Sequence, residues 1–373
     1  MSRISPARGL AAPLLATAFA ACALAGAQAA EKPLKVVIDV EGGAATLFIT
    51  PEGKTLLVDA GWPKGMGVPR PPEGAPPGPP QPSSAERIVA KAKAAGVSRI
   101  DYLLITHYHV DHIGGIHDLL PMIPVGTLVD HGPNREELPA GANPGQAASA
   151  PATLFPKYAA LSPPYKRRSV AVGQSLQVGS VKFTFVASDA QAIDKPLPGA
   201  GGRTAFCDIT PDKAANGGEE NVRSIGFVAT YGKARIMDLG DLTWNREKAL
   251  VCPVNKIGKI DLLLVSHHGS ELSNSAPLLD AVSARVALMA NGARKGGDKA
   301  TFETLAATAS KPAVWQSHFA TRSPEANRPA DYIANPDAWP DGGYSLTAEV
   351  GKDGAISVVN ERNGFSQTYP KAR

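Results

Sequence analysis

Thr106-His107-Tyr108-His109-Val110-Asp111-His112-Ile113-Gly114-Gly115 packs three imidazoles and a carboxylate into six residues. The preceding Asp101-Tyr102-Leu103-Leu104-Ile105 is an apolar run bounded by polar residues and reads as a buried strand. His107 and His109 leave its end two residues apart and point the same way, while Asp111 and His112 occupy the turn beyond. Such a set reads as a metal site. Imidazole with carboxylate suits zinc first, with iron or manganese open. Histidine is otherwise a scattered residue of intermediate burial, so a chance polar loop explains the pattern poorly.

A second strand end repeats this chemistry. Ile260-Asp261-Leu262-Leu263-Leu264-Val265-Ser266-His267 matches Ile100-Asp101-Tyr102-Leu103-Leu104-Ile105-Thr106-His107 position by position. Two similar halves of an α/β enzyme would bring both ends to one rim, where such folds place their ligands. His267 therefore joins His107, His109, Asp111 and His112 as a metal-ligand candidate. An extended backbone would turn His268 away, giving it the task of orienting a ligand or facing the substrate. Leu56-Leu57-Val58-Asp59-Ala60-Gly61 and Arg235-Ile236-Met237-Asp238-Leu239-Gly240-Asp241 also run from apolar to acidic, with glycine close by to permit a sharp turn. A lone strand-end Asp is as often a cap or turn former. In this company, Asp241 is the candidate carboxylate bridging two metals, and Asp59 the group that holds a ligand imidazole or a bound water.

On these residues the chain resembles the metallo-β-lactamase-fold hydrolases, over residues 36 to 310 or so. The resemblance implies an α/β fold, the four-layer αββα sandwich, with two divalent ions and hydrolytic activity. Within that superfamily, Ser266-His267-His268-Gly269-Ser270, followed by Ser273-Asn274-Ser275 and a helix-like Pro277 to Val282, is similar to the hydrolase domain of bacterial competence (DNA-uptake) channel proteins. One departure stands out. Many members place another histidine ligand between the first motif and the Gly-Asp, whereas Glu219-Glu220-Asn221-Val222-Arg223-Ser224 contains none; the competence-type domains likewise show Asn and Ser near this point. One ion is thus left with His107, His109 and Asp241, and is short of an imidazole. The other has Asp111, His112, His267 and Asp241. Of the remaining histidines, His131 at an apolar strand end is the better candidate to fill the gap, His117 in the following helix reads as structural, and His318 is unassigned.

The candidate ligands run from His107 to His267, so a boundary between them would split the site, and residues 30–373 read as one domain. Residues 1–29 read as a signal peptide, with Arg3 and Arg8, an apolar stretch from Leu10 to Ala25 and the small-x-small Ala27-Gln28-Ala29. The expected location is periplasmic or secreted; Phe19-Ala20-Ala21-Cys22 offers lipid attachment as a minor alternative. Without Arg3 and Arg8 the formal charge falls from +4 to +2, which carries no strong nucleic-acid-binding signature. No later segment has the apolar length needed to span a bilayer. Cys207 and Cys252 are then the remaining cysteines, and an oxidising compartment favours a disulfide between them.

Ser84 to Gly96 reads as a helix, capped by Ser83 or Ser84, with Ile88 and Val89 facing inward and Gly96 as its stop. Strands are expected at 182–186, 225–230, 287–290, 344–350 and 355–360. Gly65 to Pro82 is proline-rich and reads as an extended flap, either covering substrate or merely linking, and Gly141 to Pro151 and Pro196 to Gly218 read as loops. Asn291-Gly292-Ala293-Arg294-Lys295-Gly296-Gly297 is a basic loop, either a binder of phosphate or carboxylate or a solvated turn.

A divalent metal pair lowers the pKa of bound water from 15.7 to about 7 and polarises the electrophilic oxygen. Hydrolysis follows, with Asp111 or Asp59 orienting the nucleophile. A phosphoester is the first substrate reading. A lactone or β-lactam is the second, and a non-catalytic binding module with a degenerate metal site the third, suggested by the missing histidine.

Overall fold

The computed structural model describes residues 1–2, 32–38, 43–67, 71, 73–74, 80–161, 165–213, 218–337 and 339–371. Residues 3–31, which hold nearly all of the expected signal peptide and Cys22, and much of the expected 65–82 flap lie outside the described residues. Residues 31–373 form one compact unit.

Two large sheets face each other. The first runs Ser366–Tyr369, Ile356–Asn360, Leu346–Val350, Leu34–Ile38, Thr46–Ile49, Thr55–Val58, Ile100–Leu104, Val125–Asp130, Lys166–Ser169. From Thr55–Val58 onward its strands are parallel. The second runs Ile333–Asn335, Ala313–His318, Val286–Met289, Leu262–Leu264, Ala234–Asp238, Gly226–Tyr231, Val181–Ser188, Ser175–Val178, and its first five strands are parallel. Alternation along each strand sends side chains to opposite faces. Leu56, Val58, Leu104, Leu262 and Leu264 therefore meet between the sheets, where Phe48, Phe183 and Phe227 pack edge to face. Leu57 and Leu103 face outward onto the helix Ser84–Ala94, and Leu263 onto the helices Trp244–Val251 and Ala276–Val282. Helix, sheet, sheet, helix: this is the αββα metallo-β-lactamase fold.

The two repeated segments do the same job in each half. Asp101 Oδ2 accepts from Thr55 N at 3.0 Å, and Asp261 Oδ2 from Arg235 N at 2.9 Å, each carboxylate closing the start of the neighbouring parallel strand. With the strand starts aligned, the opposite ends of both sheets carry Asp59, Thr106 to His112, Asp241 and Ser266 to His268.

The expected strands are present within two residues at each end. The helix begins as expected, with Ser83 and Glu86 forming a reciprocal capping box, and Gly96 at φ +76° ends the turn that follows. The 141–151 loop is a correction: Pro144–Ser149 and Pro151–Ala159 are helices, the first opened by an Asn143–Gln146 capping box.

Candidate metal centre

Asp241 Oδ2 lies at the centre of the site, with imidazole Nε2 atoms of His112, His267, His268 and His107 at 3.2, 3.4, 3.6 and 3.9 Å. Gly240 makes this approach possible: at φ +55° it turns the chain sharply, and a Cβ there would come within 3.0 Å of Thr106. Asp111 Oδ2 lies 3.1 Å from His268 Nε2 and 3.2 Å from His112 Nε2. Asp111, His112, Asp241 and His268 thus form a buried cluster whose donor atoms lie within 4.8 Å of one another. Beside it, His107 Nε2 faces His109 Nδ1 at 3.0 Å.

Each imidazole has its rear nitrogen anchored, which leaves the front nitrogen to converge. His112 Nδ1 is 2.8 Å from Asp59 Oδ2, His107 Nδ1 is 3.1 Å from Thr106 Oγ1, His267 Nδ1 is 3.2 Å from Ser273 Oγ, and His268 Nδ1 is 2.9 Å from the carbonyl of Ala290. His109 turns Nε2 toward Glu136 Oε2 at 3.5 Å, keeping Nδ1 on the His107 side. Such anchoring fixes the tautomer a metal ligand needs. The front nitrogen of His112 is buried and makes no hydrogen bond. An atom of that kind is costly unless something takes its lone pair, and a divalent ion is a chemically matched partner. The donor set fits a dinuclear metal centre.

Electrostatics divide the imidazoles. Burial, reinforced by His112 and His109, holds His107 well below the ordinary imidazole range. Burial likewise lowers His267, against the pull of Asp241. Both imidazoles are neutral. For His112, burial disfavours charge, but Asp241, Asp111 and Asp59 outweigh it and raise the group well above 6.5. Burial would raise Asp111, yet Lys295 and His112 keep it well below the carboxylate range. Asp241 is held low against burial by His112, His267 and His268.

Several expectations change in detail. His267 and His268 do not lie on extended backbone: both are left-handed, at φ +52° and +54°. This curl turns His268 inward instead of away, and the four-group cluster takes His268 while His267 stands at its edge on Asp241. Asp59 is buried with Oδ1 on Thr106 N at 2.7 Å and Oδ2 on Thr106 Oγ1 and His112. It supports an imidazole; with both oxygens committed, it does not orient a nucleophile. His131 is not part of the four-group cluster, and its Nε2 faces Glu220 Oε2 at 3.0 Å. His318 binds the carbonyl of Asn291 at 2.7 Å and Asp341 at 3.3 Å, and His117 is exposed on the helix Ile116–Leu119.

Two residues, Glu220 and Glu136, were not anticipated, and a third, Lys295, comes from the basic loop read as either an anion binder or a solvated turn. Glu220, fully buried, accepts from Tyr108 N at 3.1 Å and so braces the His107–His109 segment from the stretch where relatives carry a histidine. Its own amide donates to Glu136 at 3.0 Å, linking both acids. Lys295 reaches Asp111 Oδ2 from the 291–297 loop, which is therefore not a solvated turn. The acidic pair Glu219-Glu220 in a histidine's expected place was a visible signal; Glu136 and Lys295 are joined to the site by tertiary packing alone.

A family model described as the Metallo-beta-lactamase superfamily matches residues 39–292, and the chain belongs to that superfamily. A 63-residue stretch is 40% identical to hydroxyacylglutathione hydrolase from Alkalilimnicola ehrlichii, covering 17% of this chain and 23% of that enzyme. The chain thus spans under a quarter of the length of this curated relative. Among solved structures, the metallo-β-lactamase fold protein YhfI from Bacillus subtilis is similar at 14% identity and a TM-score of 0.43, with 77% of this chain and 96% of that one covered. MEM-A1, a subclass B3 metallo-β-lactamase from a soil metagenome library, is similar at 15% identity and a TM-score of 0.36, covering 76% and 85%.

Proposed function

We propose that the protein is an exported phosphodiesterase working with two zinc ions. The observation that carries the reading is the position of Asp241 Oδ2, shared between the His107–His109 pair and the Asp111–His112–His268 set. One shared carboxylate sets two ions close together, the arrangement that suits in-line displacement at phosphorus. When bound, the ions supply an activated water and polarise the electrophile. His107 and His109 would hold one ion and His112, His268 and Asp111 the other, with His267 at the bridge. Asp111, which Lys295 contacts, would orient an attacking water, while Asp59, Thr106 and Glu136 keep the imidazoles in register. Similarity of Ser266 to Ser270 to the competence-channel hydrolase domains supports a phosphodiester. Export is supported by the sequence of residues 1–29 and by the Cys207–Cys252 disulfide, a bond that persists in oxidising compartments. Periplasmic or secreted residence, with residues 30–373 as one mature domain, follows from that reading.

A second reading, attack on a carbonyl as in a thioester, lactone or β-lactam, draws on the segment shared with hydroxyacylglutathione hydrolase. Turnover of a chromogenic phosphodiester, a thioester, a lactone and a cephalosporin by protein supplied with zinc or manganese separates them. Metal-dependent phosphodiester cleavage is expected. Cleavage confined to the carbonyl substrates would move the assignment to the second reading, and no turnover by metal-replete protein would leave a binding module.

A further inference from the structure

Lys295 brings a positive charge to the mouth of the metal centre, and its loop is built to hold it there. Asn291 Nδ2 donates to the His318 carbonyl at 2.7 Å, Gly292 N to the Lys295 carbonyl at 2.9 Å and Gly297 N to the His268 carbonyl at 2.9 Å. Gly296 sits at φ +67°, and a Cβ there would be 2.0 Å from the His268 carbonyl oxygen. The loop backbone therefore lies directly on the backbone and Cβ of His268, whose imidazole faces Asp111. Lys295 Nζ contacts Asp111 Oδ2 and stands 5.0 Å from the centroid of the Trp62 ring. The lysine side chain is 35% exposed, so one side of the charge meets the centre and the other meets solvent.

We propose that Lys295 binds a non-bridging oxygen of the substrate's phosphoryl group, with Trp62 as the wall that keeps the ammonium over the centre; this rests on the phosphodiesterase reading. A divalent ion held by Asp111 and the Lys295 ammonium are like charges on one carboxylate, and an anionic oxygen between them is attracted by both. Lysine suits this task, being a compact charge with three donors on a flexible four-carbon stem. It can pass from Asp111 to a phosphoryl oxygen by stem rotation, and the face of the Trp62 indole favours the cation along that path. As the phosphoryl group is displaced, a fixed cation beside its oxygens stabilises the charge spread over them.

Full-length protein carrying zinc or manganese is titrated calorimetrically with inorganic phosphate and, separately, with benzoate. Lys295→Met is expected to weaken phosphate binding about ten- to a hundredfold, as loss of a charge-assisted hydrogen bond does, while metal content by elemental analysis stays at the wild-type level. Lys295→Arg should recover part of the affinity. Unchanged phosphate affinity in Lys295→Met overturns the proposal. So does loss of metal from that variant, which would make Lys295 a support for Asp111, and so does benzoate binding that is tighter than phosphate and equally dependent on Lys295. If wild-type protein cleaves no phosphodiester yet phosphate binding depends on Lys295 as expected, the anion site stands and the hydrolytic reading fails.

Discussion

Asp241 Oδ2 has four imidazole nitrogens within 3.9 Å, so its removal is expected to have the largest effect of any single substitution at the centre. Asp241→Ala should lose both ions and nearly all turnover, because each ion depends on the shared oxygen to sit near its neighbour. His268→Ala should lose the ion of the four-group cluster, while His267→Ala, at the edge, should retain more metal; elemental analysis of the purified variants, with circular dichroism as a folding control, ranks them. The reverse ranking would mean that the inward-facing imidazole has been misassigned. Asp59→Asn tests the anchoring: it is expected to weaken metal binding about 10- to 100-fold by loosening His112, read by competition with a chromogenic chelator. Much of this centre was legible because its ligands are local in sequence or sit at strand ends. The order of His267 and His268 was not, since two successive left-handed residues cost energy and no sequence rule anticipates them. Glu136, 27 residues from His109, was hidden for another reason, and for Lys295, 184 residues from Asp111, the basic loop was legible but its partner was not: only the packed sheets bring these groups together.

A buried ion pair joins a helix packed on the first sheet to a strand end of the second. Arg87, in the helix Ser84–Ala94, donates to Asp341 Oδ2 at 2.8 Å, and Asp341 Oδ1 lies 3.3 Å from Nε2 of His318, at the end of the strand Ala313–His318. Burial opposes charge on Asp341, but His318 and Arg87 prevail and hold it below the usual carboxylate range. A depressed folded value means that the contribution is present above the unfolded value of 3.8 and is lost as pH falls through the folded one. Asp341→Asn should cost about 1–3 kcal/mol at neutral pH by removing the carboxylate that Arg87 and His318 share, and should flatten the stability profile below pH 4 relative to wild type. Urea unfolding across pH 3 to 7 measures both; equal midpoints at pH 7 would remove the pair from any structural role. Strands and the first helix could be read from period and caps, since hydrophobic alternation and Ser83-x-x-Glu86 are local signals. Gly141 to Pro151 reads as loop because Pro, Gly and Ala dominate it, although Asn143-x-x-Gln146 is a capping signal for the helix Pro144–Ser149.

At the scale of the whole molecule, the disulfide joins the 204–213 region, a long excursion from the second sheet, to the end of the helix Trp244–Val251. Cys207 and Cys252 have Cα atoms 5.7 Å apart and enclose a separation of 45 residues. Next to the bond, Thr204 Oγ1 donates to the Val251 carbonyl, and Lys248 Nζ to the Thr210 carbonyl at 2.7 Å, so the excursion is tied to the helix by hydrogen bonds as well as by the disulfide. Closing a loop of that length restricts the unfolded chain by about 4 kcal/mol at most. The helix itself carries Glu247, whose carboxylate receives the amides of Asn274 and Ser275 at 2.8 and 2.7 Å just beyond the His267–His268 turn. Reduction should therefore lower global stability without removing metal, because the hydrogen bonds that position the turn do not pass through the sulfurs. Protein exported with its own N-terminus is expected to lack residues 1–29 by intact mass and to show no free thiol until reduced. The Cys207→Ser/Cys252→Ser double variant is expected to unfold at lower urea with metal content unchanged. Two thiols alkylated in native exported protein, or loss of metal in the double variant, would show that the bond, the compartment or this division between scaffold and centre has been misread.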